Sequence, residues 1–221
     1  MRDWSHRLRG GRGSFEAGRW RHRRRTQAAA PANGPTHLPD PSGQPLAAVL
    51  IPSLRDLLLA ARPGLAIRAA GTGDIPGLRA LVVADTEDAL GPTVPATVQA
   101  LMASLQLDGR RPIIGPARPE TLDAVVTEGE TIIGRIVIRR AEGRLRLVDL
   151  TILPDRRGQG LGTILLEAVT AAAADRGWPV QARLWYDSPA KRLFRKAGFV
   201  KAAETAVDEM LEWRPPHLPP A

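Results

Sequence analysis

The sequence has no cysteine and only four histidines in 221 residues. Disulfide frameworks, thiolate zinc sites and cysteine nucleophiles are therefore excluded, and a histidine-rich metal site is disfavoured. Aromatic residues make up 4% of the chain. Long apolar runs are also missing: the stretch from Leu46 to Ala61 is broken by Pro52, Arg55 and Asp56, well short of the ~20 uninterrupted residues of a membrane span. The same interruptions argue against an export signal, and a cytoplasmic location is the resulting expectation. Chemistry must come from oxygen groups and the main chain.

What is present is uneven. The net charge is +8, and nine arginines against Asp3 and Glu16 place +7 of it in residues 1–25, leaving +1 for the rest. That head is too polar to bury a core and is expected to be disordered. A solvated tail is the blander explanation, and contact with a nucleic acid the alternative. Residues 31–45 are dense in Pro, Gly, Asn, Asp and Ser, as a linker would be. The expected organisation is thus a disordered head and linker over 1–45, a short helix or linker over 46–63, one domain over 64–214 and a Pro-rich tail over 215–221. In the second segment Leu54, Leu57, Leu58 and Ala61 would share a helical face, docked on the domain or on a partner.

Within the domain, alternation at Leu65, Ile67 and Ala69 predicts a strand. A helix to about Asp85 follows, with Ile75, Leu78, Leu81 and Val82 inward. A second, over 95–107, is expected to bury Val98, Leu101, Met102 and Leu105, with a loop over 108–119. Turns at Glu128-Gly129-Glu130 and Glu142-Gly143 separate three strands of an antiparallel meander. Next come a helix through Leu161, Leu165 and Val169, ended by Gly177 and Pro179, a strand from Val180, a helix over 189–197, and two final strands ending at Trp213. No internal repeat is present.

The segment Leu150-Thr151-Ile152-Leu153-Pro154-Asp155-Arg156-Arg157-Gly158-Gln159-Gly160-Leu161-Gly162-Thr163 runs a strand into a Gly-rich turn that opens an amphipathic helix. Glycines let the backbone approach a bulky anion, and converging N–H groups at the positive end of a helix suit a diphosphate. A dinucleotide fold would place such a turn after the first strand of a parallel sheet, with different glycine spacing. A P-loop would need Gly-Lys-Ser/Thr, which is absent.

The segment resembles the signature of the GNAT (N-acetyltransferase) superfamily: Arg or Gln, two residues, Gly, one residue, Gly or Ala, matched by Arg157, Gly160 and Gly162. A second GNAT-like segment, Asp187 to Phe199, follows at the family's usual distance and ends in Gly198-Phe199. Met210-Leu211-Glu212-Trp213 is similar to the ending of many bacterial members. The likeness spans residues 65–213 and is specific over 148–199.

The resemblance implies an α+β fold in α/β/α layers, with a mixed, mostly antiparallel sheet of six or seven strands splayed at its centre and about four helices. It implies acetyl-CoA as co-substrate, an amine of a small molecule or protein as acceptor, no metal, and a monomer or homodimer. Main chain at Leu150, Thr151 and Ile152 would pair with the pantetheine arm. The Ile152 N–H, or its neighbour's, would stabilise the oxyanion, N–H groups over Arg157, Gly158, Gln159, Gly160, Leu161, Gly162 and Thr163 would hold the diphosphate, and Asp187 would also meet the coenzyme. Asp149 is the candidate general base, its alternative being an ion pair with Arg135 or Arg146. The chain departs from the family in having Phe194 where a tyrosine acid is frequent and Asp187 where asparagine is usual. A non-catalytic acyl-CoA-binding module is therefore the second functional reading.

Overall fold

A computed structural model describes residues 43–110 and 118–217. The Arg-rich head, the tip of the 108–119 loop and the chain end lie outside these residues. The elements are α1 (Leu46–Ala61), β1 (Leu65–Ala69), α2 (Ile75–Leu90), α3 (Ala96–Arg110), β2 (Thr121–Glu128), β3 (Thr131–Ala141), β4 (Arg144–Ile152), α4 (Leu161–Ala174), β5 (Val180–Trp185), α5 (Lys191–Lys196), β6 (Val200–Glu204) and β7 (Asp208–Trp213). The strands form one sheet in the order β1-β2-β3-β4-β5-β7-β6. Only β4 and β5 are parallel; every other neighbouring pair is antiparallel. This is the layered, mostly antiparallel architecture expected, with five helices rather than about four. No described helix is long and apolar enough to cross a membrane.

Strand alternation sorts the core into two faces. Leu122, Ala124, Val126, Ile136 and Ile138 join α1 and α4 in one continuous cluster with Leu165, Leu166 and Val169. On the other face α2 packs against β3 and β4 through buried Leu78, Leu81 and Val82, and α3 packs on α2.

Two expectations about helices are corrected. The segment over 46–63 is a full helix in the domain's own core, so the packed unit begins before residue 64. Its inward row is Leu46, Leu50, Leu54 and Leu58, each 0% exposed, whereas Leu57 is exposed. Pro52 is tolerated inside it because it lies on the exposed side, where the lost N–H and the local bend meet solvent. In α3, Val98, Leu101, Met102 and Leu105 are exposed and Ala103 is the buried contact. A periodic stripe requires that one face be apolar, not that anything cover it.

The start of α2 is fixed electrostatically. Arg68 of β1 grips Asp74 with two donors, both at 2.7 Å, and Asp74 Oδ2 accepts the Gly71 N–H at 2.8 Å. Hydrogen bonding from Arg68 first, opposed by burial and aided by Gly71, holds the Asp74 carboxyl below the usual carboxylate range.

Leu54→Ala should destabilise the protein by about 2–5 kcal/mol through lost transfer energy and a cavity, while Leu101→Ala should change stability by no more than about 0.5 kcal/mol; urea unfolding separates the two. The Asp74 contribution is complete above the ordinary aspartate pKa of about 3.9 and is lost as pH falls through the lower folded value. Asp74→Asn should therefore be less stable than the parent at neutral pH, and the gap should narrow on acidification in unfolding curves at stepped pH.

Candidate active site: a cleft between two diverging strands

The cleft begins with one extra residue. Val137 pairs with Asp149 and Ile138 with Leu147, so Val148 has no partner across β3 and forms a bulge. It bends β4 at the point where pairing with β5 stops: Leu145–Leu147 pair with Val180–Ala182, whereas the rest of β5 pairs with β7 alone. Beyond the bulge β4 has β3 on one side and an opening on the other. The bulge also resets the alternation, so that Leu147 faces the α1/α4 core and Asp149 the opposite face.

Register decides which main-chain groups face this opening. The Leu153 N–H donates to Ile133 O at 2.9 Å, making that a hydrogen-bonded pair. Antiparallel pairs alternate, so Leu150 and Ile152 turn their N–H and C=O groups away from β3, toward the gap. Thr151 lies in a bonded position opposite Arg135, and its main chain is committed to β3. Of the three residues expected to pair with an extended ligand, only Leu150 and Ile152 present backbone groups to it.

The gap opens into a cavity of about 750 Å³ that runs from Asp149, Leu150 and Ile152 to the Gly-rich turn and the first residues of α4, with Phe194 and Leu193 on the far wall. Gly158 and Gly160 adopt φ values of +71° and +85°, the left-handed region where a side chain is strained. A Cβ built on Gly160 would meet no protein atom within 4 Å, so it would project into open space. The Ile164 N–H donates to Gly160 O. The N–H groups of residues 158–163 have no acceptor among the described residues. They stand at the positive end of a 14-residue helix with no acidic residue in its first turn.

Three nearby carbonyls, which would repel an anion, are occupied. Arg157 Nε–H donates to Ile152 O at 2.9 Å, Gln159 Nε2–H donates to Asp155 O at 3.0 Å, and Arg62, just past α1, donates to Gln159 O. The arrangement is an anion nest with its oxygens tied back. Lys196 lines the cavity and has no ion-pair partner among the described residues. Other candidate cations are engaged: Arg156 with Glu128 at 3.0 Å and Lys191 with Glu209 at 3.0 Å.

Both readings of Asp149 find a counterpart. It lines the cavity, and its side chain is also paired: Thr151 Oγ1–H donates to Asp149 Oδ1 at 2.7 Å, and Arg135 Nη1 lies 3.8 Å from Oδ2. Arg135 is 2% exposed and forks onto Asp123 at 2.9 and 2.6 Å, so one buried cation stands between two carboxylates. Two residues expected at the coenzyme are not among those that line the cavity. Asp187 is exposed in the turn after β5 and does not line the cavity; Gln159 does not line it either. Tyr186 is 59% exposed, with Lys191 over its ring, and is also absent from the cavity wall. Phe194 is buried edge-on against Phe199, ring centroids 5.1 Å apart.

The sequence did not disclose Arg62, nor Asp85 and Asp88, which bind Arg157 at 2.5 Å each. The spacing of the two aspartates on one face of α2 was visible, but a partner about 70 residues away was not.

Residues 123–201 match the family described as Acetyltransferase (GNAT) domain. The chain contains a GNAT superfamily domain. No curated protein matches the chain. Among solved structures, the fold is similar to PaiA N-acetyltransferase from Thermoplasma acidophilum in complex with coenzyme A, at 14% identity and TM-score 0.53, covering 68% of this chain and 98% of that one. It is also similar to an acetyltransferase from Thermus thermophilus, at 20% identity and TM-score 0.50 over 68% and 96% of the two chains. A third similarity is to PH1933 from Pyrococcus horikoshii, at 15% identity and TM-score 0.53 over 68% and 98%. At these identities the structures speak for the GNAT fold, and the family match for acetyl transfer as its general chemistry. Among the described residues no group of three or more His, Asp or Glu side chains could hold a metal.

Gly160→Val should cost about 1–3 kcal/mol in backbone strain and abolish coenzyme A binding, because its side chain would fill the space over the N–H cluster; calorimetric titration alongside a melting curve separates the two effects.

Proposed function

We propose that the protein is an acetyl-CoA-dependent N-acetyltransferase that transfers the acetyl group to a primary amine within a ternary complex. One observation carries this reading: an open strand edge leads directly into unpaired N–H groups at a helix start, along a single cavity. An extended amide-bearing arm suits the first part and a diphosphate the second.

Acetyl-CoA supplies the acetyl group as a thioester, whose C–S bond breaks as the amine nitrogen forms the new C–N bond. The Ile152 N–H, directed into the gap, is placed to donate to the thioester oxygen as negative charge develops there. Leu150 and Ile152 main chain would hold the pantetheine arm, and Gly158 to Thr163 N–H groups the diphosphate, with Lys196 nearby. Asp149 would take the amine proton, directly or through one water; Thr151 and Arg135 fix its carboxylate. Holding amine and thioester together removes the entropic cost of their encounter. Phe194 has no proton to give, so the departing thiolate would be protonated by solvent.

That phenylalanine favours a second reading, an acyl-CoA-binding module without turnover. The two separate in one assay. Calorimetry should show micromolar acetyl-CoA binding, and an amine panel should show coenzyme release. Asp149→Asn should keep the binding and lower kcat by roughly 100-fold or more, the scale of general-base catalysis. Binding without release by the parent, with release gained in Phe194→Tyr, would support the module; no binding at millimolar ligand would reject both.

A further inference from the structure

Arg157 fills the first position of the Gly-rich signature, yet each of its three side-chain nitrogens already donates to a protein oxygen. Nε–H is bonded to Ile152 O at 2.9 Å, Nη2 to Asp85 and Nη1 to Asp88, each at 2.5 Å. The two aspartates are one turn apart and share a face of α2. One cation against two carboxylates leaves a local charge of −1, the wrong sign for drawing in an anion. Exposed ion pairs add little to folding, so stability does not account for the arrangement. Position does. Ile152 ends β4, and its carbonyl lies on the open edge; Arg157 closes the short turn that follows. A guanidinium bonded to the first and covalently part of the second, and itself held by α2, fixes both ends of residues 152–157 and so the approach to Gly158 and Gly160.

We infer that Asp85 and Asp88 are positioning residues of the Gly-rich turn: they hold Arg157 as a strut, so that the N–H groups of residues 158–163 are in place before any anion arrives, and Arg157 is not itself an anion ligand. The identity of the anion rests on the coenzyme reading; the strut does not. Because Asp85 also lines the cavity, α2 and the turn are mechanically joined across it.

The two roles for Arg157 differ in sign. Coenzyme A is titrated calorimetrically into the full chain, into Arg157→Gln, into the double variant Asp85→Asn/Asp88→Asn, and into the triple variant. A strut requires that the double variant and Arg157→Gln each weaken binding by about tenfold, with the triple variant no weaker than Arg157→Gln, since the three groups act as one unit. Arg157→Lys, which keeps the charge but lacks the fork, should resemble Arg157→Gln. Tighter binding in the double variant, rescue by Arg157→Lys, or additive losses would each overturn the inference. Hydrogen exchange on the ligand-free protein reads the strut independently: residues 153–163 should exchange faster in the double variant while β2 and β3 stay unchanged, and equal exchange would overturn it. No coenzyme A binding by the parent, with faster exchange still seen in the double variant, would reject the coenzyme reading and leave the strut standing.

Discussion

A single unpaired residue, Val148, governs the architecture of the site. Without it β4 would continue alongside β5, the N–H and C=O groups of Leu150 and Ile152 would be consumed in sheet pairing, and no gap would lead to the helix start. The bulge converts an interior strand into an open edge over a few residues. An exposed edge is ordinarily a hazard; here it is enclosed within a cavity, where only a slender extended partner can reach it. The same residue inverts the facing of the strand, which is why Asp149 lies on the side of α2 and Arg135 rather than in the leucine-rich core.

Around that edge the chain spends its polar contacts on orientation. Three carbonyl oxygens near the Gly-rich turn are given a side-chain donor, from Arg157, from Gln159 and from Arg62, while the N–H groups of residues 158–163 have no acceptor among the described residues. Water or an anion must satisfy them. Arg62, just past α1, and Asp85 and Asp88 of α2, through Arg157, hold the turn from opposite faces of the sheet, so its conformation depends on the packing of both layers.

What could be read from the sequence was what is local. Alternation and turn glycines marked all seven strands, and the glycine pattern after Ile152 marked the helix start, because each depends on a few neighbouring residues. The inward row of α1 was misplaced because Leu54, Leu57, Leu58 and Ala61 make an equally regular row, and Pro52 interrupts the apolar stretch through which the helix runs. The α3 stripe was misjudged since periodicity carries no information about what lies opposite. Ion-pair partners such as Asp85, Asp88 and Asp123 depend on tertiary placement. Asp187 lies outside the cavity lining for the related reason that a turn residue's direction follows from the turn, not from its place in a motif.

A fragment cut where the family match begins and ends, at residues 123 and 201, would omit α1, β1, α2, α3, β7 and most of β6. Since β7 lies beside β5, its removal would leave β5 with an unpaired edge. Losing α1 would also strip four leucines from the α4 side. Such an excised piece would carry the glycine signature intact and yet offer raw strand edges and bare apolar surface, the ingredients of aggregation rather than of a minimal enzyme.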